Sequence, residues 1–365
     1  MEDKVIEEAL LLETMEAESF FFEEELEAER VASAKKQKKK EKRMVNIVDT
    51  RALEEKLRSL DSESLHYETL KPLLSCPNKK PYAKVTKKLL ADLDGLELKF
   101  PNFAELIQEI RLLLRLEGAS KQRAIRLPHF LLCGPPGVGK TRFLNELAKV
   151  LGVGDLRQID LATSSAAFIL CGGSTSWKNG KQGVVTKHLQ ESKYANPMIL
   201  LDEIDKALSN DHNPIGPLFN LLEPHTSVNF IDEALDFPMN CSQIIYFATA
   251  NSVESVDDAI KSRFEIITIA PPTAEQMIAI VHSVYKEMRD DSSWGENFAE
   301  EVDDTVVSKL QACAPRVVKR LLKKACANAL DRVEKQGNGD DVIELQAEDI
   351  VETSSENLVG GIGFY

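Results

Sequence analysis

From residue 129 onward the apolar positions fall into short runs separated by stretches in which they recur every three or four residues. The runs are 129–133 (HFLLC), 156–160 (LRQID), 198–201 (MILL), 243–250 (QIIYFATA) and 264–270 (FEIITIA). Short apolar runs bounded by turn residues fit strands buried on both faces. The intervening stretches 140–151, 183–193 and 214–222 keep helical spacing. Alternating strands and helices predict right-handed crossovers and a five-stranded parallel sheet with covered faces, an α/β fold. Pro271 and Pro272 end this pattern. Beyond them only helical spacing remains, over 273–289, 303–314 and 315–335 and more weakly over 346–353, so a small all-α domain is expected after the sheet.

Upstream the pattern changes. Residues 1–30 are dense in Glu, interrupted by LLL at 10–12 and FFF at 20–22, and residues 35–43 (KKQKKKEKR) are almost purely basic. No Gly or Pro occurs before Pro72, so this arm is expected to be largely helical, with its acidic block ahead of its basic block as a helix dipole favours. Three successive Phe are unusual in a purely solvated segment and suggest a partner-binding or assembly arm. A plain charged extension and a nucleic-acid-binding tail are the alternatives. One helix is predicted over 50–70, with Leu53, Leu57, Leu60 and Leu65 on one face, broken by Pro72, Pro77 and Pro81. A short helix is expected over 84–96, and Asn102 is placed to cap another over 103–117. The predicted organisation is a charged extension (1–70), a linker with helices (71–127), the α/β domain (128–271), the helical domain (272–354) and a tail (355–365).

Composition narrows the function classes. A chain of 365 residues suggests two or three domains, and its net charge of −14 opposes a general nucleic-acid footprint. The six cysteines form no C-x-x-C pair and read as buried thiols of a reducing compartment. The acidic start does not fit a secretory signal, and no apolar stretch approaches the length of a membrane span. The expected location is cytoplasmic, with no membrane partner.

The chemistry concentrates at Gly134-Pro135-Pro136-Gly137-Val138-Gly139-Lys140-Thr141, which fits the phosphate-binding P-loop pattern. A strand must end and a helix begin around a polyphosphate. Gly134, Gly137 and Gly139 let the backbone bring its N–H groups close, and the helix adds its N-terminal dipole. Lys140 is placed to neutralise the outer phosphates of ATP, Thr141 to ligate Mg²⁺, and Arg142 joins the nucleotide-binding set. A second run, MILLDEID, is a buried strand ending in carboxylates at the edge where open α/β sheets bind ligands. Asp202 is placed to hold Mg²⁺ and Glu203 to polarise the attacking water, while Asp205 is a candidate cap for a following helix. Asn251, at the tip of the fourth run, is a candidate for orienting that water; a simple turn residue is the alternative. Arg263 precedes the last strand at the rim, where it suits the nucleotide of a neighbouring subunit, and Arg316 opens a helix that can fold back on its own.

This ordered set (GPPGVGKT, ILLDEID, ATAN, SRFE and APR, with helices behind) resembles the AAA+ ATPases, over about residues 100–353. Within that superfamily it resembles the ATPase module of Lon-type proteases, through NPMILLDEIDK, PLFNLLEPHTSVNFIDEALDFPMN and FATANSVESV followed by SRFEIITI. The resemblance implies a homo-oligomeric ring, usually of six, with ATP and Mg²⁺ at each interface. Lys140, Thr141, Asp202 and Glu203 would act from one subunit and Arg263 from the next, with Asn251 as sensor 1 and Arg316 as sensor 2. Trp177, followed by Lys178 in a Gly-rich polar loop, falls where Lon-type modules carry the axial-channel aromatic that grips an extended polypeptide; a packed loop Trp is the alternative. Residues 225–232, with Asn229 and Phe230, are a weaker candidate for a second channel loop. Lon carries a serine–lysine peptidase after its helical domain, whereas this sequence ends at Tyr365. The expectation is therefore a protein-remodelling ATPase that hands substrates to a separate protease or effector. A nucleic-acid-directed ATPase and a nucleotide-gated scaffold are the competing readings.

Overall fold

The computed structural model describes residues 44–163, 166–174, 180–207, 214–336 and 342–351. The chain divides after Val45, and every element below belongs to the unit beginning at Asn46. The charged arm at 1–43, the pair Trp177 and Lys178, and the tail from 352 lie outside the described residues.

Helix α1 (Thr50–Ser59) starts at Asp49, whose carboxylate accepts from the N–H groups of Arg51 (3.0 Å) and Ala52 (3.2 Å). It buries Leu53 and Leu57. Helix α2 (Leu65–Leu70) is capped afresh by Ser64, which accepts from Tyr67 N–H at 3.2 Å. The single helix expected over 50–70 is thus two. Asp61 accepts from Glu63 N–H at 3.1 Å, one of the local side-chain bonds that compete with helix continuation, and Leu65 is left 50% exposed. Helix α3 (Lys87–Lys99) is capped by Thr86, and begins later than predicted because Val85 N–H is committed to Arg123 O at 2.8 Å. Helix α4 (Ala104–Ala119) has Phe103, not Asn102, at its N-cap position. Asn102 instead sits in a 3₁₀ turn (Pro101–Phe103) and donates at 3.4 Å to the carbonyls of Val138 and Ala270.

The sheet has five parallel strands: β1 (Phe130–Cys133), β2 (Arg157–Asp160), β3 (Met198–Asp202), β6 (Ile245–Ala250) and β7 (Glu265–Thr268), in the order β2-β3-β6-β1-β7. Alternate residues explain its two covered faces. Phe130, Leu132, Met198, Leu200, Ile245 and Phe247 pack in one cluster with α3, α4 and helix α5 (Lys140–Leu151). Their neighbours Leu131, Ile199, Leu201, Tyr246 and Ala248 are equally buried and face the other way. Phe103 stacks on Phe143 of α5 with centroids 4.3 Å apart, fixing the start of α4 against the helix that follows the P-loop.

Four short helices and a hairpin cross between these strands: α6 (Ala166–Cys171), α7 (Val184–Glu191), α8 (Ile215–Leu222), α9 (Pro224–Ser227), then antiparallel β4 (Phe230–Asp232) and β5 (Phe237–Met239). The hairpin takes up residues 230–232 of the segment 225–232 that was the weaker candidate for a second channel loop. Phe230 pairs with Met239 and is 4% exposed, so it is a core residue. Helix α10 (Asp258–Lys261) leads into β7.

A second hydrophobic cluster lies in the helical region, built from Met277, Val281, Val284, Val306, Leu310, Leu322 and Ala325 among others. It joins α11 (Ala274–Asp290), α12 (Asp304–Leu310) and α13 (Pro315–Gln336). Thr273 starts α11 with a reciprocal capping box to Gln276. The helix expected over 346–353 is only a 3₁₀ turn (Ala347–Asp349), held by buried Asp349 against Arg332 Nη2 at 3.0 Å. Among the described residues no helix is long and apolar enough to cross a membrane.

Candidate nucleotide-binding site

The carboxyl ends of β1, β3 and β6 open on a cavity of about 320 Å³, lined by Pro136–Arg142, Asp202, Glu203, Asn251, Ile280 and Arg316, among others. The loop after β1 reaches α5 through Gly137 (φ +87°) and Gly139 (φ +103°), backbone conformations that exclude ordinary side chains. A Cβ on Gly137 would lie 2.9 Å from Arg316 Cδ, so this glycine also admits the helical region to the loop. Gly134 and Pro135 do not line the cavity. They act through their carbonyls, which accept from Lys140 Nζ at 2.5 and 3.3 Å. Burial lowers the Lys140 ammonium below its ordinary pKa, against the opposing pull of Asp205 and Asp202.

Asp202 ends β3 with both carboxylate oxygens engaged. Oδ1 accepts a short hydrogen bond from Thr249 Oγ1; Oδ2 accepts from Gln158 Nε2 at 2.7 Å and lies 3.5 Å from Thr141 Oγ1. Thr249 Oγ1 also accepts from Glu203 N–H at 3.1 Å. Glu203 itself has φ +56°, rare for a residue with a side chain, and its Oε1 is 2.7 Å from Lys206 Nζ. Among the described residues Asp205 caps no helix. Its Oδ2 accepts from Asn251 N–H at 2.9 Å, binding the tip of β6 to the turn after β3, while its Oδ1 is buried with no partner among the described residues. Thr249, Gln158 and Asp205 therefore shape the site without having been singled out for it. A hydroxyl within the apolar run of β6 was the one available signal for Thr249.

The donor set fits a magnesium ion. The Thr141 hydroxyl and the Asp202 carboxylate are hard oxygen ligands facing one another at the mouth of the P-loop.

Arg142 lines the cavity but is paired with Glu287 of α11 at 2.7 Å, through the same oxygen that lies 2.7 Å from Lys99 Nζ; Lys99 also reaches Glu146 at 3.0 Å. This network ties α3, α5 and α11 together beside the cavity. Arg263 is not among the cavity-lining residues. Its guanidinium lies 4.6 Å above the Phe219 ring, donates through Nη1 to Ala259 O at 2.5 Å, and pairs through Nη2 with Glu223 Oε1 at 2.9 Å.

Although Trp177 and Lys178 are outside the described residues, the base of their loop is not. Gly173 N–H donates to Lys181 O at 3.0 Å. Buried Asp232 accepts from Gly183 N–H at 2.8 Å and Thr186 Oγ1 at 2.5 Å, and a Cβ on Gly172 would lie 2.6 Å from its Oδ1. Burial raises the Asp232 pKa, and these donors oppose the rise.

Residues 130–272 match the family model described as ATPase family associated with various cellular activities (AAA). The chain is 29% identical over 247 residues to the Lon protease of Aster yellows witches'-broom phytoplasma (strain AYWB), covering 66% of this chain and 30% of that protein. It is 34% identical over 171 residues to the peroxisomal Lon protease homolog 2 of Eremothecium gossypii, covering 44% and 17%. The chain thus spans less than a third of the length of either relative. Among solved structures, the S. cerevisiae Hsp104:casein complex in its extended conformation superposes with a TM-score of 0.53 at 17% identity, covering 68% of this chain and 48% of that one.

Proposed function

We propose that this protein, whose residues 130–272 match the AAA family model and are similar to Lon proteases, is an ATP-hydrolysing ring motor that unfolds, translocates or remodels polypeptides. The observation that carries the proposal is the convergence of Lys140 and Thr141 from the start of α5, Asp202, Glu203 and Asn251 from the ends of β3 and β6, and Arg316 from the helical region on one cavity. Such a site changes shape with its ligand and transmits the change between two hydrophobic cores.

In this reading the N–H groups of Gly137–Thr141 and the Lys140 ammonium hold the outer phosphates of ATP at the start of α5. Thr141 and Asp202 would hold Mg²⁺, which would neutralise phosphate charge. Glu203, released from Lys206, takes a proton from the attacking water that Asn251 orients. Arg316 follows the phosphates as the helical region moves, and Arg263 of a neighbouring copy meets the charge that develops at the far side. This makes the working form a homo-oligomer, by analogy a hexameric ring, with Trp177 and Lys178 gripping the substrate polypeptide in its channel. A reducing, cytoplasmic setting suits six free cysteines, of which Cys133, Cys171 and Cys326 are pushed up to about 11, 12 and 12 by burial. A separate protease or effector would receive the product.

The polypeptide substrate is supported by the likeness to Lon proteases and to an Hsp104 structure containing casein. The test is ATP turnover with a permanently unfolded protein, single-stranded DNA or duplex DNA. Stimulation by the unfolded protein alone is expected; stimulation by DNA alone would replace this reading with a nucleic-acid-directed motor.

A further inference from the structure

We infer that Glu223 is a positioning residue that aims Arg263 at the nucleotide of the adjoining subunit. The inference rests on the proposed role of Arg263 and adds the device that orients it. Arginine has five N–H donors in one plane, and a surface arginine ordinarily samples many rotamers. Here the guanidinium is fixed on three sides: the Phe219 ring under its face at 4.6 Å, Ala259 O at 2.5 Å from Nη1, and Glu223 Oε1 at 2.9 Å from Nη2. Its side chain is 22% exposed and that of Glu223 is 32% exposed, so the pair is only partly screened by water. A cation held this way has lost most of its rotamer entropy before any phosphate arrives, which is what a charge-stabilising group needs.

The placement of the clamp has a second meaning. Phe219 lies on α8 and Glu223 directly follows it, on the chain that leaves β3 through Glu203 and returns to the sheet at β6. The group that holds the arginine is therefore carried by the same connection that leaves the subunit's own carboxylates. Glu223 also lies 3.8 Å from His225 Nδ1, a mostly exposed partner that adds little.

The test uses the full chain and the variants Glu223→Gln, Arg263→Ala and Lys140→Ala. Glu223→Gln is expected to lower kcat about tenfold while leaving equilibrium ADP affinity unchanged. Mixing Glu223→Gln subunits with Lys140→Ala subunits, each inactive or weak alone, should restore turnover, because intact sites of the first then receive arginines correctly aimed by the second. Phe219→Leu, which keeps an apolar side chain under the guanidinium but no aromatic face, should show a smaller loss with the same rescue. Unchanged or raised kcat in Glu223→Gln, or a loss that mixing does not rescue, overturns the inference. If Arg263→Ala mixed with Lys140→Ala is rescued while Glu223→Gln is not, the positioning role alone fails. If neither mixture is rescued, the trans role of Arg263 fails and takes this inference with it.

Discussion

The Thr249 hydroxyl on β6 donates to Asp202 Oδ1 on β3 while accepting the N–H of Glu203. One side chain thus fixes both acidic residues at the sheet's ligand edge. It also supports the left-handed backbone of Glu203, at φ +56°. Thr249→Val keeps the shape and removes both bonds, leaving the Glu203 N–H unpaired. A stability loss of about 1–2 kcal/mol is expected from denaturant unfolding. Steady-state kinetics should show a fall in kcat larger than any rise in KM, since Glu203 loses its orientation; a change confined to KM would assign Thr249 to ground-state binding.

Lys140 and Glu203 should separate binding from chemistry. Lys140→Ala removes the cation of the P-loop, and calorimetry should find nucleotide binding abolished; normal affinity would remove this loop from the site. Glu203→Gln keeps the phosphate cradle but not the base. It should bind ATP while turning over at least about 100-fold more slowly, and wild-type turnover in that variant would discard Glu203 as the group acting on water.

His129 gives the fold an acid-sensitive point away from the cavity. Burial lowers its pKa to about 4, with the Leu222 carbonyl and Glu223 opposing the shift, and its Nδ1 has no partner among the described residues. The folded state therefore holds it neutral while the unfolded chain protonates near its ordinary value of about 6.5. As pH falls from 6.5 toward 4 the unfolded state takes up a proton that the folded state does not. Stability is lost across that window, by about 3 kcal/mol at most. Urea midpoints at pH 7, 5.5 and 4.5 should fall more steeply for the native sequence than for His129→Gln; parallel slopes would show that the burial of this imidazole does not govern acid sensitivity.

Trp177→Ala should leave basal turnover near the native rate and abolish stimulation by an unfolded protein. ATP consumption with and without that protein is the measurement. Retained stimulation would take Trp177 out of substrate contact.

The residues most legible in the sequence were those whose chemistry admits few alternatives. A polyphosphate needs close backbone N–H groups, a cation and a hydroxyl, so Lys140 and Thr141 stand out at fixed spacing. Charge at the end of a buried strand needs a use, so Asp202 does as well. The five-stranded parallel sheet followed from alternation and handedness, whereas the strand order emerged only from the structure. What escaped notice depends on contacts distant in sequence. Asn102 looks like a helix cap, but the chain returns Val138 and Ala270 to its amide, and tertiary bonds replace the local one. The break after Leu60 depends on short polar bonds at Asp61 and Ser64 that periodicity does not weigh. Strands β4 and β5 are three residues each, too short to establish alternation, so buried Phe230 passed for a loop aromatic.

Asp232 gives that hairpin a mechanical meaning. The described chain that follows residues 175–179 is anchored through Gly183 and Thr186 to a carboxylate on β4. The hairpin therefore serves as the fixed mounting for the two chain ends that flank residues 175–179, and the rigidity of those ends is set at Asp232 and the β4–β5 ladder.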